Sequence, residues 1–154
     1  MTTFAAIDPG MSTGASLWHY NPHGNQPAEL LDTTQFTGGL QGFLNWWNEN
    51  DWPIQHLVVE RYKLDARAHK TEHIEPVRIE GAIETLWGNE EIDWQTNQAL
   101  AHVNTDNAKQ AGYWAAPTQL GQPDNNDAIS SIKHGLYWLK QNHRPTLEHV
   151  WGTP

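Results

Sequence analysis

The sequence contains no cysteine in its 154 residues. This absence excludes a disulfide framework and a thiolate metal site, and it is typical of proteins in a reducing compartment such as the cytoplasm. Long apolar runs are also missing: none approaches the roughly 18 residues of a membrane-spanning helix, and the N-terminus does not have the pattern of a signal peptide. We therefore expect a cytoplasmic protein with no membrane partner, folded as a single domain over residues 1–154.

Basic residues are scarce, with 9 lysines and arginines against 18 acidic residues and a net charge of −9. This balance argues against a nucleic-acid partner, because neutralising phosphates normally requires a basic surface. Two considerations weaken that argument. A site for divalent cations needs its own carboxylates, and the bound ions invert the local field. In addition, four basic residues fall within ten positions: Arg61, Lys63, Arg67 and Lys70.

Tryptophan and histidine are abundant, with nine residues of each. Several tryptophans stand in apolar patterns, which favours core packing over base stacking: Trp18, Trp46, Trp47, Trp87 and Trp138. The histidines are scattered and show no H-E-x-x-H spacing, so we do not expect a histidine zinc site.

Hydrophobic periodicity and turn residues divide the chain into strands and helices. The predicted strands are 3–8, 14–20, 29–36, 56–60 and 92–96. The predicted helices are 38–50, one that begins at Pro76 and ends near residue 88, 105–112, and about 124–142. The second helix has an apolar stripe made of Ile79, Ala82, Ile83 and Leu86. Three strands followed by strands that alternate with helices predict an α/β fold, with a mixed five-stranded sheet flanked by helices on both sides.

Four carboxylates stand at the ends of these elements. Asp8 closes the first strand, Glu60 closes the fourth, and Asp124 and Asp127 open the last helix. Each has an ordinary explanation by itself. Asp8 begins an Asp-Pro-Gly turn, Glu60 is a solvated strand exit, Asp124 is a good N-cap, and Asp127 suits the positive end of the helix dipole.

Taken together, the four carboxylates favour a metal site. If the first and fourth strands are adjacent and parallel, Asp8 and Glu60 project from the same edge of the sheet. Asp124 and Asp127 share one face of a helix start that could pack against that edge. Oxygen ligands without cysteine select Mg²⁺, with Mn²⁺ as the alternative. Two such ions about 3.5–4 Å apart are the arrangement for in-line displacement at phosphorus.

The order of the segments "IDPGMSTG", "LVVERY" and "PDNNDAI" resembles the RuvC family of Holliday junction resolvases, within the RNase H-like superfamily. The resemblance implies an RNase H-like fold with Asp8, Glu60, Asp124 and Asp127 as catalytic metal ligands. The stretch "DWQTNQALAHVNTDNAKQAGYW" is similar to a segment of small bacteriophage members, which would place the protein in the cytoplasm of a host cell.

The same resemblance implies a function: a Mg²⁺-dependent endonuclease, acting as a homodimer, that cleaves Holliday junctions and other branched DNA in recombination and repair. It implies that the helix near 75–88 contributes to the dimer contact. It also implies that the segment after Glu60 lies on DNA, through Arg61, Tyr62, Lys63, Arg67 and Lys70.

Position 100 departs from the family pattern, because Leu100 stands where related proteins often carry a lysine. The positive charge that stabilises the transition state would then come from Lys109, Lys133 or His102, and the sequence leaves this choice open.

Three other functions are compatible with these residues. An RNase H-like nuclease that acts on RNA–DNA hybrids or flaps would share the two-metal chemistry. A non-catalytic DNA-binding domain could retain the fold, although it would gain nothing from concentrated negative charge facing phosphate. A kinase-like protein could wrap "DPGMSTG" around an ATP phosphate, but that fold normally needs a much longer chain.

Overall fold

The structure is a computed structural model that describes residues 1–62, 74–88, 90–114 and 126–151. The strands are β1 (Thr2–Asp8), β2 (Ser12–Tyr20), β3 (Glu29–Thr37), β4 (His56–Glu60) and β5 (Ile92–Gln95). The α-helices are α1 (Gly39–Glu49), α2 (Ile74–Trp87), α3 (Thr105–Gln110), α4 (Asn126–Asn142) and α5 (Arg144–Trp151). A 3₁₀ helix covers Asn97–His102. None of the helices in these ranges is long and apolar enough to cross a membrane.

The five strands form one sheet in the order β3-β2-β1-β4-β5. β1, β2 and β3 pair in antiparallel fashion, whereas β4 is parallel to both β1 and β5. The mixed five-stranded sheet flanked by helices is therefore confirmed, as is the adjacency of the first and fourth strands. Because Ile7 pairs with Val59, Asp8 and Glu60 end their strands side by side.

β1 lies at the centre of the sheet and is buried on both faces. Phe4 and Ala6 pack against α4, in a core that also includes Trp18 of β2. Ala5 and Ile7 face the opposite way, into the core beneath α1 and α2. Side chains of a strand alternate between the two faces, so a continuous apolar run is what a doubly covered strand requires. Asp8 thus stands at the end of a rigid element.

Helix α4 is fixed onto β1 and β2. Its apolar inner face is fully buried, through Ala128, Ile132, Gly135, Leu136 and Leu139. A side chain at position 135 would run into the indole ring of Trp18, so only glycine allows this close approach. The Trp18 indole donates to Ser16 Oγ, and the Ser16 hydroxyl donates to the carbonyl of Ser131 on α4. These contacts hold α4 in register with the sheet.

The structure also departs from the predicted elements. The 3₁₀ helix and α5 were not predicted. In α5 only Thr146 and Val150 are buried, so the apolar periodicity that would reveal it is short. In α2, Ile79 and Ile83 are buried as expected, but Leu86 is 42% exposed, so the apolar stripe does not extend that far. The other predicted strands and helices are present and differ at most in their bounds; α2 begins at Ile74, two residues before the predicted start at Pro76.

The five tryptophans predicted to pack in the core divide into two groups. Trp18 and Trp138 are buried, which confirms core packing for both. Trp46, Trp47 and Trp87 are half-buried and pack against the core on the α1 and α2 side of the sheet.

Candidate active site

Asp8 and Glu60 meet at the edge of the sheet where β1 and β4 end. Their side chains share a hydrogen bond. This contact follows from the parallel pairing of the two strands, because the carboxyl ends of neighbouring parallel strands lie together. Asp127, in the first turn of α4, is close enough for its charge to act on Asp8. The structure thus brings together three of the four predicted carboxylates, and Asp124 lies outside the described residues.

Asp127 owes its position to a row of residues across the sheet. Gly14 pairs with Asp8 on one side and with Gln35 on the other. A Cβ atom at Gly14 would collide with the backbone carbonyl of Asp127, so a residue without a side chain is needed there. Gln35 is buried, and its Oε1 accepts hydrogen bonds from the backbone N–H groups of Asp127 and Ala128, each at 3.0 Å. These are donors that have no partner within the helix itself.

One face of α4 supplies further contacts to the carboxylates. The hydroxyl of Ser130 hydrogen-bonds the carboxyl group of Asp8. His134 is fully buried, with Nε2 at 3.5 Å from Glu60 Oε2 and Nδ1 at 2.8 Å from Oε1 of Gln95. Asp127, Ser130 and His134 have the spacing i, i+3 and i+7, which places them on the same side of a helix.

Sequence reasoning missed Ser130, His134 and Gln95. A signal was available for the first two, because they continue the helix face that begins at Asp127. For Gln95 the only signal is that it ends β5, as Asp8 and Glu60 end their own strands.

The two central carboxyl groups have shifted pKa values in opposite directions. Burial raises the pKa of Asp8 to about 10, with further contributions from the hydrogen bond to Glu60 and from the charges of Glu60 and Asp127. Burial also opposes ionisation of Glu60, but the contacts of its carboxylate with His134 and Asp8 outweigh burial and hold the Glu60 pKa below its ordinary value. At neutral pH the Asp8 carboxyl group therefore stays protonated, and its O–H donates a hydrogen bond to the Glu60 carboxylate.

The donor set suits a hard divalent cation. A carboxyl group that stays protonated at neutral pH has too little positive charge around it to favour its ionised form. A cation bound by its oxygens would supply that charge and displace the proton. Within the described ranges, no three acidic or histidine side chains are already grouped closely enough to hold a metal ion. Binding would require Asp8 and Glu60 to exchange their mutual hydrogen bond for metal contacts.

The segment predicted to lie on DNA is described only at its beginning, since Lys63, Arg67 and Lys70 lie outside the described residues. The Arg61 guanidinium lies over the Trp94 ring, 4.1 Å from its centroid, and 3.2 Å from Glu84 Oε1. The backbone N–H of Tyr62 donates to Glu80 Oε1 at 2.7 Å. Glu80 is itself buried, which raises its pKa. α2 thus holds the chain as it leaves Glu60.

Two of the predicted charge stabilisers, Lys109 and His102, contact aromatic rings. Lys109 Nζ is 4.4 Å from the centroid of the Trp114 ring, and His102 stacks on Tyr137. Lys133 precedes His134 on α4 and is rotated from it by about 100° around the helix axis. None of the three is among the groups that shift the pKa values of Asp8 and Glu60.

The sheet order and the flanking helices define an α/β fold of the RuvC type. No protein-family model and no curated protein matches the sequence. Solved structures do. The chain is similar to Thermus thermophilus RuvC, with 16% identity, a TM-score of 0.56, and coverage of 91% of this chain and 96% of that one.

A second similar structure is T. thermophilus RuvC in complex with Holliday junction substrate. There the identity is 10%, the TM-score is 0.56, and 92% of this chain and 96% of that one are covered. At these identities the likeness establishes the fold, and it extends over most of both chains.

Proposed function

We propose that this chain is a metal-dependent endonuclease that cleaves Holliday junctions and other branched DNA. The observation that carries the proposal is the half-buried Asp8–Glu60 pair, which lies with Asp127 at the edge of the sheet where β1 and β4 end. Of the similar structures, one is RuvC with a Holliday junction bound, which supports branched DNA as the substrate class. A domain that only binds DNA would have no use for carboxylates at this position.

Mg²⁺, with Mn²⁺ as the alternative, would be held by Asp8, Glu60, Asp127 and Asp124. When bound, such ions activate water for attack on phosphorus and stabilise the leaving 3′-oxygen. The chain's own residues prepare the site. Asp8 gives up its proton on binding, and the Ser130 hydroxyl holds the carboxylate that results.

DNA would approach over the segment after Glu60. Arg61 is half exposed, and its exposed ion pair with Glu84 is of a kind that contributes little to stability. A phosphate could therefore replace Glu84 at modest cost. Tyr62, Lys63, Arg67 and Lys70 continue the contact in this proposal. With a net charge of −9, the protein should bind DNA best at low salt.

We further propose a homodimer formed through α2. Three apolar side chains of this helix are exposed: Ile74, Val77 and Leu86. A Cβ atom at Gly81 would meet nothing within 4 Å, so a second helix could approach closely there. Exposed apolar residues grouped on one helix are typical of a protein contact.

The decisive experiment compares the wild type with Asp8→Asn on a synthetic four-way junction, a flap, a linear duplex and an RNA–DNA hybrid, with and without Mg²⁺. We expect Mg²⁺-dependent cleavage of the junction by the wild type. The variant should bind the junction but lose more than ~100-fold in cleavage rate, since even partners of metal ligands are worth ~10–100-fold. Asp51→Asn, at an exposed position, is the matched control.

Each other outcome overturns a defined part of the proposal. Equal cleavage by Asp8→Asn contradicts the metal site. Cleavage confined to the hybrid identifies an RNase H-like activity instead of a resolvase. Junction binding by the wild type without any cleavage identifies a DNA-binding domain of the same fold.

A further inference from the structure

His134 is a polar residue in a position that otherwise suits an apolar one. Its side chain is 0% exposed, and most of the other buried residues of α4 are apolar. Burying an imidazole is unfavourable unless its nitrogens are paired. Nδ1 is paired with the Gln95 side chain at 2.8 Å. Within the described residues no hydrogen bond of good geometry reaches Nε2, which faces Glu60 Oε2 at 3.5 Å.

The imidazole ring of His134 connects side chains at the ends of two strands, β4 and β5. Glu60 and Gln95 are direct partners in the parallel pairing of β4 and β5. His134 lies between their side chains, carried by the same helix that presents Asp127. Gln95 is itself buried, at 9% exposure, so its amide also needs a partner. The side chains of Gln95, His134 and Glu60 therefore form a chain that ends on a carboxylate of the candidate site.

We propose that His134, held by Gln95, is a positioning residue for Glu60. In this arrangement Nε2–H donates to Glu60 Oε2, and the amide NH₂ group of Gln95 donates to Nδ1. Rotating the Gln95 side-chain amide by 180° exchanges the positions of its nitrogen and oxygen atoms, so that the nitrogen faces Nδ1, and requires no other movement. The 3.5 Å separation is long for a hydrogen bond, but contacts of this kind commonly tighten when the site is loaded.

The reason for such a device is the flexibility of Glu60. Its carboxylate ends a side chain with three rotatable bonds, and this freedom must be restricted if the carboxylate is to stay beside Asp8. His134 Nε2 lies 3.5 Å from Glu60 Oε2 and is carried by the helix that presents Asp127. A donor fixed at that point keeps the Glu60 carboxylate turned toward the candidate site.

Two substitutions distinguish a positioning role of His134 from a role in core packing. As a statement about catalysis, the inference rests on the proposed function. His134→Gln keeps an amide donor near the point occupied by Nε2, whereas His134→Asn reaches only as far as Nδ1. Titration calorimetry of Mn²⁺ into the metal-free protein, without DNA, measures the effect directly. We expect His134→Asn to weaken Mn²⁺ binding by ~10–100-fold, as for other residues that orient metal ligands. His134→Gln should restore most of that loss.

Kinetics on a four-way junction provide a second measurement. His134→Asn should lower kcat while leaving the Kd for the junction unchanged, because the residue does not contact DNA. His143→Asn is the matched control, since His143 is also buried and hydrogen-bonded but at the far end of α4. It should lower the Tm without changing Mn²⁺ affinity. Equal Mn²⁺ affinities for wild type and a folded His134→Asn, or equal losses in His134→Asn and His134→Gln, would overturn the inference.

A spectroscopic test needs neither metal nor activity. Nitrogen-15 NMR of the histidine rings identifies which nitrogen carries the proton. We expect protonated Nε2 and a slowly exchanging Nε2–H signal for His134, with that signal changed in Glu60→Ala. An unprotonated Nε2 in the wild type contradicts the positioning contact even if the protein cleaves junctions. Conversely, a protonated Nε2 in a protein that binds no Mn²⁺ refutes the proposed function and leaves the contact in place.

Discussion

The backbone carbonyl of Asp127 occupies the space that a side chain at Gly14 would need. Gly14 lies opposite Asp8 in the pairing of β1 and β2, so this single approach sets the distance between α4 and the end of β1. Alanine at position 14 would push the first turn of α4 away from the sheet. We predict that Gly14→Ala lowers stability by about 1–3 kcal/mol, the usual range for overpacking, and reduces metal binding and cleavage together.

The measurement for Gly14→Ala is a thermal melt beside a Mn²⁺ titration. Asn48→Ala serves as the control for stability, because Asn48 is an exposed residue of α1. At such a position alanine should stabilise by up to about 0.7 kcal/mol. A Gly14→Ala protein with the wild-type Tm and Mn²⁺ affinity would show that α4 is not held by this contact.

The raised pKa of Asp8 predicts how stability depends on pH. The folded protein keeps the Asp8 proton up to about pH 10, whereas the unfolded chain releases it near the ordinary value of 3.8. Between these values the folded state binds more protons, so the free energy of unfolding falls as pH rises. Glu60 acts oppositely, because its lowered pKa gives stability that is lost only in acid, below its ordinary value of 4.5.

We therefore predict that the metal-free wild type loses Tm between pH 7.5 and 9.5, above the ordinary range of histidine. Asp8→Asn removes the titrating group, so its Tm should exceed that of the wild type at pH 8 and change less over this range. A gain of about 1–2 kcal/mol corresponds to roughly 2–8 °C for a chain of this size. Mg²⁺ should raise the Tm of the wild type, more strongly at higher pH, but not that of Asp8→Asn. Parallel pH profiles for the two proteins would disprove a buried proton on Asp8.

How far the sequence predicts the fold depends on the range of the interactions. Apolar runs and apolar periodicity are local properties of a segment, so they predict the burial of β1, of β4 and of the inner face of α4. The parallel pairing of the first and fourth strands was a condition of the predicted site, and the structure has it. α5 was not predicted, because two buried residues in eight give no helical stripe. Leu86 was assigned to a buried stripe by its spacing alone, and the sheet beneath α2 does not reach it.

The candidate site shows the same limit. Strand ends and helix starts pointed to the acidic residues, because position within an element is a local property. The contacts that act on those residues are not local. Gln35 and Gln95 come from two different edge strands, and only the assembled sheet brings them to Asp127 and His134. Sequence alone also gives no means to see that Arg61 is paired with Glu84 and stacked on Trp94.

Arg61 offers a test of the proposed DNA surface. If its guanidinium exchanges Glu84 for a phosphate, Arg61→Ala should weaken junction binding and reduce the slope of log Kd against log salt by about 1. The Tm should fall by only a few degrees, because the exposed ion pair contributes about 0–1 kcal/mol and the contact with the Trp94 ring about 0.5–1 kcal/mol. Arg144→Ala is the matched control, since Arg144 forms an exposed pair with Glu148 on α5. Equal salt slopes for Arg61→Ala and the wild type would place the DNA elsewhere.

The exposed face of α2 predicts the oligomeric state. Gly81 lies between apolar side chains that have no cover within the described residues, so a large charged group at this position should prevent close approach of a second helix. We predict that Gly81→Arg converts a dimer into a monomer in sedimentation experiments, with an unchanged circular dichroism spectrum because position 81 is exposed. Glu49→Arg, an equally exposed charge change on α1, should leave the dimer intact. If the wild type sediments as a monomer at every concentration, or if Gly81→Arg remains a dimer, α2 is not the contact surface.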